Sequence, residues 1–336
     1  MSVGKRISIA ALPLILLAAL GLTACGGTSD SSGSRGTLNL VAYSTPQEAY
    51  EEVIPAFKKT AEGKDIGFKQ SYGASGDQAR AVEAGLKADV VALSLAPDMD
   101  KLVEAKKVAA DWNKDEYDGF VTNSVVVLAT RKGNPKNIRT WADLLKDGVE
   151  VIQPNPFTSG GAKWNIMAAY GAQLEAGKSE AEAKEYLRQL IDNVPVQDKS
   201  AREALQTFIG GKGDVLLAYE NEAITAQQKG EEVDYVIPPE GTILIQNPIA
   251  ATVGAPAAAE TFVEFARGDE AQKIFGAKGY RSVKESLVDE STYPAPNNLF
   301  TIDDLGGWAA VNKEFFDPED SVMASINQDK GFPTEK

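Results

Sequence analysis

Short β-branched runs alternate along this chain with stretches of helical periodicity, and that alternation calls for an α/β architecture in which most strands feed a helix. The runs cover residues 38–43, 66–72, 90–95, 125–129, 149–152, 194–197, 215–219 and 235–238. Helical patterns are expected over 46–60, 76–88, 99–107, 160–175, 179–193 and 201–209. In an open α/β sheet a ligand lies beyond the carboxyl ends of the strands, so the strand-to-helix turns are the places to read for function.

Several of these turns share one chemistry. After the first run comes Ser44-Thr45-Pro46-Gln47-Glu48, with capping hydroxyls, proline at the first helical position and Glu three residues after Thr45. Gly73-Ala74-Ser75-Gly76-Asp77-Gln78 repeats the spacing from Ser75 to Gln78. Thr158-Ser159-Gly160-Gly161 opens the helix after 149–152, and Ser200-Ala201-Arg202-Glu203 holds another capping box. The first amides of a helix have no internal partner and stand at the positive end of its dipole, which suits them to anions. Capping alone explains any single turn. Glycine costs about 1 kcal/mol relative to alanine inside a helix, so glycines at 76, 160 and 161 suggest a ligand approaching bare backbone.

The N-terminus has its own meaning. Lys5 and Arg6 precede an apolar run over 7–20, followed by Leu22-Thr23-Ala24-Cys25. This order reads as a signal peptide over 1–24 with a lipobox, Cys25 becoming the acylated first residue of an extracytoplasmic chain held at the membrane. Residues 25–36 form the lipidated cysteine and a Gly/Ser-rich tether. Cys25 is the only cysteine, so the body must stand on its core without a disulfide.

The formal charge of −14 offers no basic stripe for nucleic acid. Histidine is absent. Without imidazole and with one acylated thiol, a zinc site, a Ser-His-Asp triad and a Cys-His pair are excluded. Glu220 and Glu222 are the best acid-base candidates, and if their run stays extended they share one face, a spacing of no use to a glycosidase pair. The expectation is a binding protein, not an enzyme, with no cofactor and no metal. Lys163 and Arg202 are read as surface helix charges, and Asp77 as a complement to its helix dipole.

Three long segments carry a resemblance. Residues 71–78, residues 155–165 and residues 213–223 resemble the periplasmic sulfate and thiosulfate binding proteins of ABC importers, and among them the actinobacterial sulfate-binding lipoproteins. Phe300-Thr301-Ile302-Asp303-Asp304-Leu305-Gly306-Gly307-Trp308 is similar to that family as well. The resemblance implies a two-lobed, type II Venus-flytrap fold, with mixed sheets flanked by helices and a dehydrated oxyanion held between the lobes by neutral donors.

It assigns the ligand to Ser44, Ser75, Ser159, Gly160, Gly161, Ala201 and Tyr219, and a membrane permease as partner to a monomeric receptor. Residues 125–129 and 243–253 look like the two crossing segments, giving one lobe of 37–122 plus 250–336 and a second of 123–249. The sequence departs from the family at Ser44, where Asp is common, at Gln47, where Arg is, at Asp77, where Lys is, and at Tyr219, where an indole is. Sulfate is the expected guest and thiosulfate the next. Molybdate, phosphate and ferric iron stand as alternatives, the last wanting paired tyrosines that the motifs around Tyr219 do not supply.

Overall fold

The computed structural model describes residues 36–289 and 291–334. The signal peptide, Cys25 and the tether up to residue 35 lie outside the described residues. In chain order the elements are β1 (Thr37–Tyr43), α1 (Gln47–Phe57), β2 (Gly67–Gly73), α2 (Ser75–Glu83), β3 (Val90–Ala92) and α3 (Ala96–Glu104). Next come β4 (Phe120–Arg131), β5 (Val151–Ile152), α4 (Gly160–Glu175), α5 (Glu180–Asp192), α6 (Ala201–Ile209), β6 (Val215–Tyr219) and α7 (Glu220–Gln228). The chain continues through β7 (Val233–Val236), β8 (Thr242–Ala251), α8 (Ala257–Arg267), α9 (Asp269–Ala277), β9 (Leu299–Phe300), α10 (Gly307–Phe315) and α11 (Val322–Lys330).

The strands form a mixed sheet in the order β2-β1-β3-β8-β4-β6-β5, with β7 on β4 and β9 on β8. Two long antiparallel strands join its halves. β4 pairs with β8 from Phe120 to Val125 and changes partner at Val126, where it takes β6 and then β7. β8 in turn reaches β3 through Ile249, Ala250 and Ala251. The parallel pairs β1/β2, β1/β3 and β5/β6 are the crossover units expected of strands followed by helices. This is the two-lobed type II architecture.

Strand alternation builds a core on each face of each half. Leu40 and Ala42 of β1 face Tyr50, Phe57, Phe262 and Phe275, while Val41 between them faces Leu93, Met99 and Leu102. In the second half Val125, Val127 and Ala129 pack on Phe208 and Ala218, and Val126 and Leu128 pack on Trp164, Leu187 and Leu217.

The last segment of the chain joins the second of these cores. Phe300, Ile302, Val311, Phe315, Met323 and Ile326 are buried with Trp164 and Tyr170, and the rings of Trp308 and Trp164 meet edge to face at 4.7 Å. Packing therefore groups residues 300–326 with the β4–β6 half, whereas the division drawn from sequence carried everything from 250 to 336 with the other lobe. Gly171 explains the fit, since a Cβ there would stand 2.3 Å from the Phe300 ring.

Residues 194–197 are not a strand. Pro195 interrupts the run and has no N–H for a ladder. The run over 215–219 and the helix over 201–209 have the bounds read from sequence, and the remaining runs appear as strands displaced by a few residues at their ends.

Candidate functional site

The helix starts of α2, α4 and α6 meet the phenol of Tyr219 and the end of β3 between the halves of the sheet. Ser159 caps α4, its Oγ accepting from the Ala162 amide at 3.3 Å. Gly160 and Gly161 follow as the first helical residues, whose amides have no partner inside the helix. A Cβ on Gly160 would lie 2.7 Å from Ser94 Oγ and 2.8 Å from its Cβ. One on Gly161 would lie 3.3 Å from the Ala201 Cβ and 3.5 Å from the Tyr219 ring. The glycines therefore let protein close on protein, and this contact brings Ser159, Gly160, Gly161, Ala201 and Tyr219 together.

Ala201 is the first residue of α6, capped by Ser200 Oγ, which accepts from Glu203 N at 3.2 Å. Glu203 completes the box on Lys199 N at 3.1 Å, one residue before the position the spacing suggests. Ser75 behaves differently from the cap read in its sequence. It is the first residue of α2, and its hydroxyl donates to Asp98 Oδ2 at 2.7 Å and accepts from Ser94 N at 3.0 Å. What Ser75 can offer a ligand is its amide. Thr45 is likewise no cap, because α1 begins after Pro46 without a side-chain bond.

Ser44 lies buried where β1 ends, with its carbonyl turned to Arg202. Arg202 Nε and Nη2 donate to it at 3.1 and 3.0 Å, while Nη1 and Nη2 take the Glu48 carboxylate at 2.8 and 2.7 Å. Lys229 pairs with Glu48 too. Arg202 is thus a bridge across the cleft, not the free surface charge expected from its place on α6. Lys163 reaches Asn312 Oδ1 at 2.7 Å, and Asp77 is turned outward onto Arg80.

Ser94 is the residue that sequence reading missed. It is fully buried, and its carbonyl accepts from Trp164 Nε1 at 3.0 Å and Asn247 Nδ2 at 3.1 Å. Its Oγ lies 2.7 Å from the Tyr219 phenol. The sole local signal was a strand end followed by Leu95-Ala96-Pro97, a helix start of the same kind with proline in its first turn.

Tyr219 is also buried, and burial raises its pKa far above the ordinary phenol value. It stays protonated and can donate. Tyr43 lies 6.4 Å away, ring centre to ring centre, and the Tyr43 and Tyr280 oxygens are 3.5 Å apart. The fold therefore gathers tyrosines that the motifs around Tyr219 did not reveal. Burial raises the pKa values of Tyr43 and Tyr280 as well, opposing the phenolates that a ferric ion would need.

Glu220 and Glu222 do not share a face, because α7 begins at Glu220 and the run is helical. Glu220 is fully buried against Arg281 at 2.8 and 3.0 Å. Glu222 accepts from Tyr219 N at 3.4 Å, and burial pushes its carboxyl up to about 7 against the opposing effects of that amide, Arg202 and Thr45. Among the described residues no cluster of His, Cys, Asp and Glu could hold a metal ion.

Comparison with known proteins gives this cleft a class. The family model described as "Bacterial extracellular solute-binding protein" matches residues 38–281. The sulfate-binding protein of Synechococcus elongatus is 44% identical over 88% of this chain and 89% of its own. The thiosulfate-binding protein of Pseudomonas aeruginosa is 34% identical over 82% of this chain and 88% of its own. Among solved structures, the sulfate-binding protein SubI from Mycobacterium tuberculosis H37Rv aligns with a TM-score of 0.81 at 41% identity, covering 84% of this chain and 100% of that one. The chain belongs to the family of sulfate- and thiosulfate-binding proteins.

Proposed function

We propose that this chain captures sulfate outside the cytoplasm and delivers it to the permease of an ABC importer, anchored through acylated Cys25. The observation that carries the reading is the convergence of the Ser159-Gly160-Gly161 turn, the Ala201 side chain at the start of α6 and the Tyr219 ring around one glycine. The Ser75 amide and the Ser44 turn complete the set from the other side. All are neutral. Sulfate is a dianion with acceptors and no proton, so a site of donors suits it. Each hydrogen bond to a charged partner is worth about 1.5–3 kcal/mol net, and each helix terminus adds about 0.3–1 kcal/mol. Roughly six or seven such donors offset the desolvation of the dianion and leave micromolar or tighter binding. The names of the relatives support the same guest, with thiosulfate next.

A protonated oxyanion such as phosphate would need an acceptor, which Asp77 could supply, and the engagement of Asp77 with Arg80 favours sulfate. Titration calorimetry of the chain expressed from Gly26 onward, against sulfate, thiosulfate, molybdate, phosphate and ferric citrate, tests the reading. Sulfate should bind most tightly. Tighter binding of phosphate, or of iron, would sink it.

A further inference from the structure

A phenol can accept a hydrogen bond as well as donate one, so a tyrosine in an oxyanion site does not by itself exclude a protonated guest. At Tyr219 the surroundings decide the matter. Its oxygen lies 2.7 Å from Ser94 Oγ, and the Asn247 carboxamide is its second hydrogen-bond neighbour. Tyr219, Ser94 and Asn247 are all buried. The direction of the amide is set from behind, because Asn247 Oδ1 accepts from Thr122 Oγ1 at 3.2 Å. That turns Nδ2, a donor, toward the Ser94 carbonyl at 3.1 Å and the phenol.

Ser94 is held at its other polar atoms. Its amide donates to Ser75 Oγ and its carbonyl accepts from Trp164 and Asn247. Only its hydroxyl hydrogen can turn, and Tyr219 is the acceptor beside it. If Ser94 donates, one lone pair of the phenol is taken by Ser94, the Asn247 amide stands beside it as a further donor, and the phenol hydrogen is left for the cleft. If Tyr219 donates instead, the buried serine hydrogen has no acceptor among its protein neighbours, the costly kind of unmade bond.

We propose that Ser94 and Asn247 are specificity-determining positioning residues that hold the Tyr219 phenol as a donor, so that the cleft takes oxyanions without a proton. The proposal rests on the oxyanion reading above and names how that site selects. Hydrogen phosphate needs an acceptor, and the neighbouring acceptors are occupied. The Ser44 carbonyl holds two donors from Arg202 and the Ser94 carbonyl holds Trp164 and Asn247, while Asp98 is engaged at both oxygens by Ser75 and Lys101.

The test is calorimetry of the wild-type chain, Ser94→Ala and the double variant Ser94→Ala, Tyr219→Trp with sulfate and with phosphate at pH 8. Ser94→Ala frees a lone pair on the phenol and should narrow the ratio of sulfate to phosphate affinity by roughly tenfold. The indole N–H of the double variant cannot accept, so it should restore the ratio, a rescue that a merely structural defect would not show. An unchanged ratio in Ser94→Ala, or no recovery in the double variant, overturns the proposal. Should Ser94→Ala fail to fold, Asn247→Leu carries the same comparison, with a narrowed ratio supporting the proposal and an unchanged one overturning it. A wild-type chain that binds neither anion overturns the oxyanion reading itself, whereas one that binds both with the ratio unmoved by Ser94→Ala overturns only this proposal, which separates the two failures.

Discussion

The guanidinium of Arg202 grips Glu48 from across the cleft, Nη1 and Nη2 meeting its two carboxylate oxygens at 2.8 and 2.7 Å. The same side chain donates twice to the Ser44 carbonyl. Ala201, one residue earlier, is the amide donor proposed above, so on that reading one helix turn carries both a donor and a clamp on the opposite lobe. Both partners keep some solvent exposure, which limits the worth of the pair. Arg202→Ala should weaken sulfate binding by roughly three- to tenfold in calorimetry. Arg202→Lys should recover little of it, since an ammonium cannot fork onto a carboxylate and a carbonyl together. Wild-type affinity in Arg202→Ala would mean that the clamp takes no part in holding the ligand.

Two glutamates give stability opposite dependences on pH. Burial raises the pKa of Glu48, but Arg202 and Lys229 outweigh it and lower the value from 4.5 to about 2. Its contribution is complete above about pH 4.5 and is lost as pH falls toward 2. Glu222 moves the other way, from 4.5 to about 7, chiefly through burial. Between those values the folded chain keeps a proton that the unfolded chain has released, so stability falls as pH rises and the penalty is complete above 7. Melting temperatures from pH 3 to pH 9 should show both limbs. Glu222→Gln should flatten the upper one and raise stability at pH 8 by on the order of 1–3 kcal/mol, whereas Glu48→Gln should flatten the lower one. A Glu222→Gln variant with the wild-type profile would contradict this.

Gly160→Ala is a test of closure. The backbone at 160 is helical and would suit alanine, which favours a helix by about 1 kcal/mol over glycine. The obstacle is across the cleft, where the new methyl would collide with Ser94 and stand 3.0 Å from Leu95 Cγ. Sulfate affinity should therefore drop by more than about tenfold, since meeting Ser94 is worth more than about 1.4 kcal/mol in such a packed contact, while the melting temperature without sulfate changes little. A large loss of stability with affinity intact would place the contact outside ligand capture.

Gly171→Ala should do the reverse. The methyl would enter the Phe300 ring in the core of the second half, at a cost of about 1–3 kcal/mol for an overpacked site. Chemical denaturation should register this loss, and Phe300→Leu in the same chain should return part of it by vacating the space. Equal stability of Gly171→Ala and wild type would show that the segment from 299 to 326 contributes little to this core.

Most of the strands and the start of α6 were legible because their signals are local. Ser200 sits directly before a periodic apolar stretch, and Leu40, Val41 and Ala42 alternate between two faces as β periodicity requires. The misread sites have distant causes. Ser75 and Thr45 carry the spacing of caps, yet the Ser75 hydroxyl is claimed by Asp98 and Ser94, which only the fold brings near. Ser94 draws its partners from Ser75, Trp164, Tyr219 and Asn247, on separate elements, so no window of sequence could contain them. The packing of the C-terminal segment is set at a distance too, since its aromatic residues find their space beside Gly171 and Trp164.

The exchange of partners within β4 has a mechanical meaning. Up to Val125 the strand is stitched to β8, and from Val126 it is stitched to β6. Any rotation of one half against the other must bend the chain near that seam, while the paired lengths on either side resist as stiff plates. A few residues away Asn123 and Arg281 exchange both backbone hydrogen bonds, a rivet close to the bend. Such a joint would act as a flexure between the halves. It would turn the presence of a small ion into a single defined swing, an unambiguous shape for a transporter to inspect.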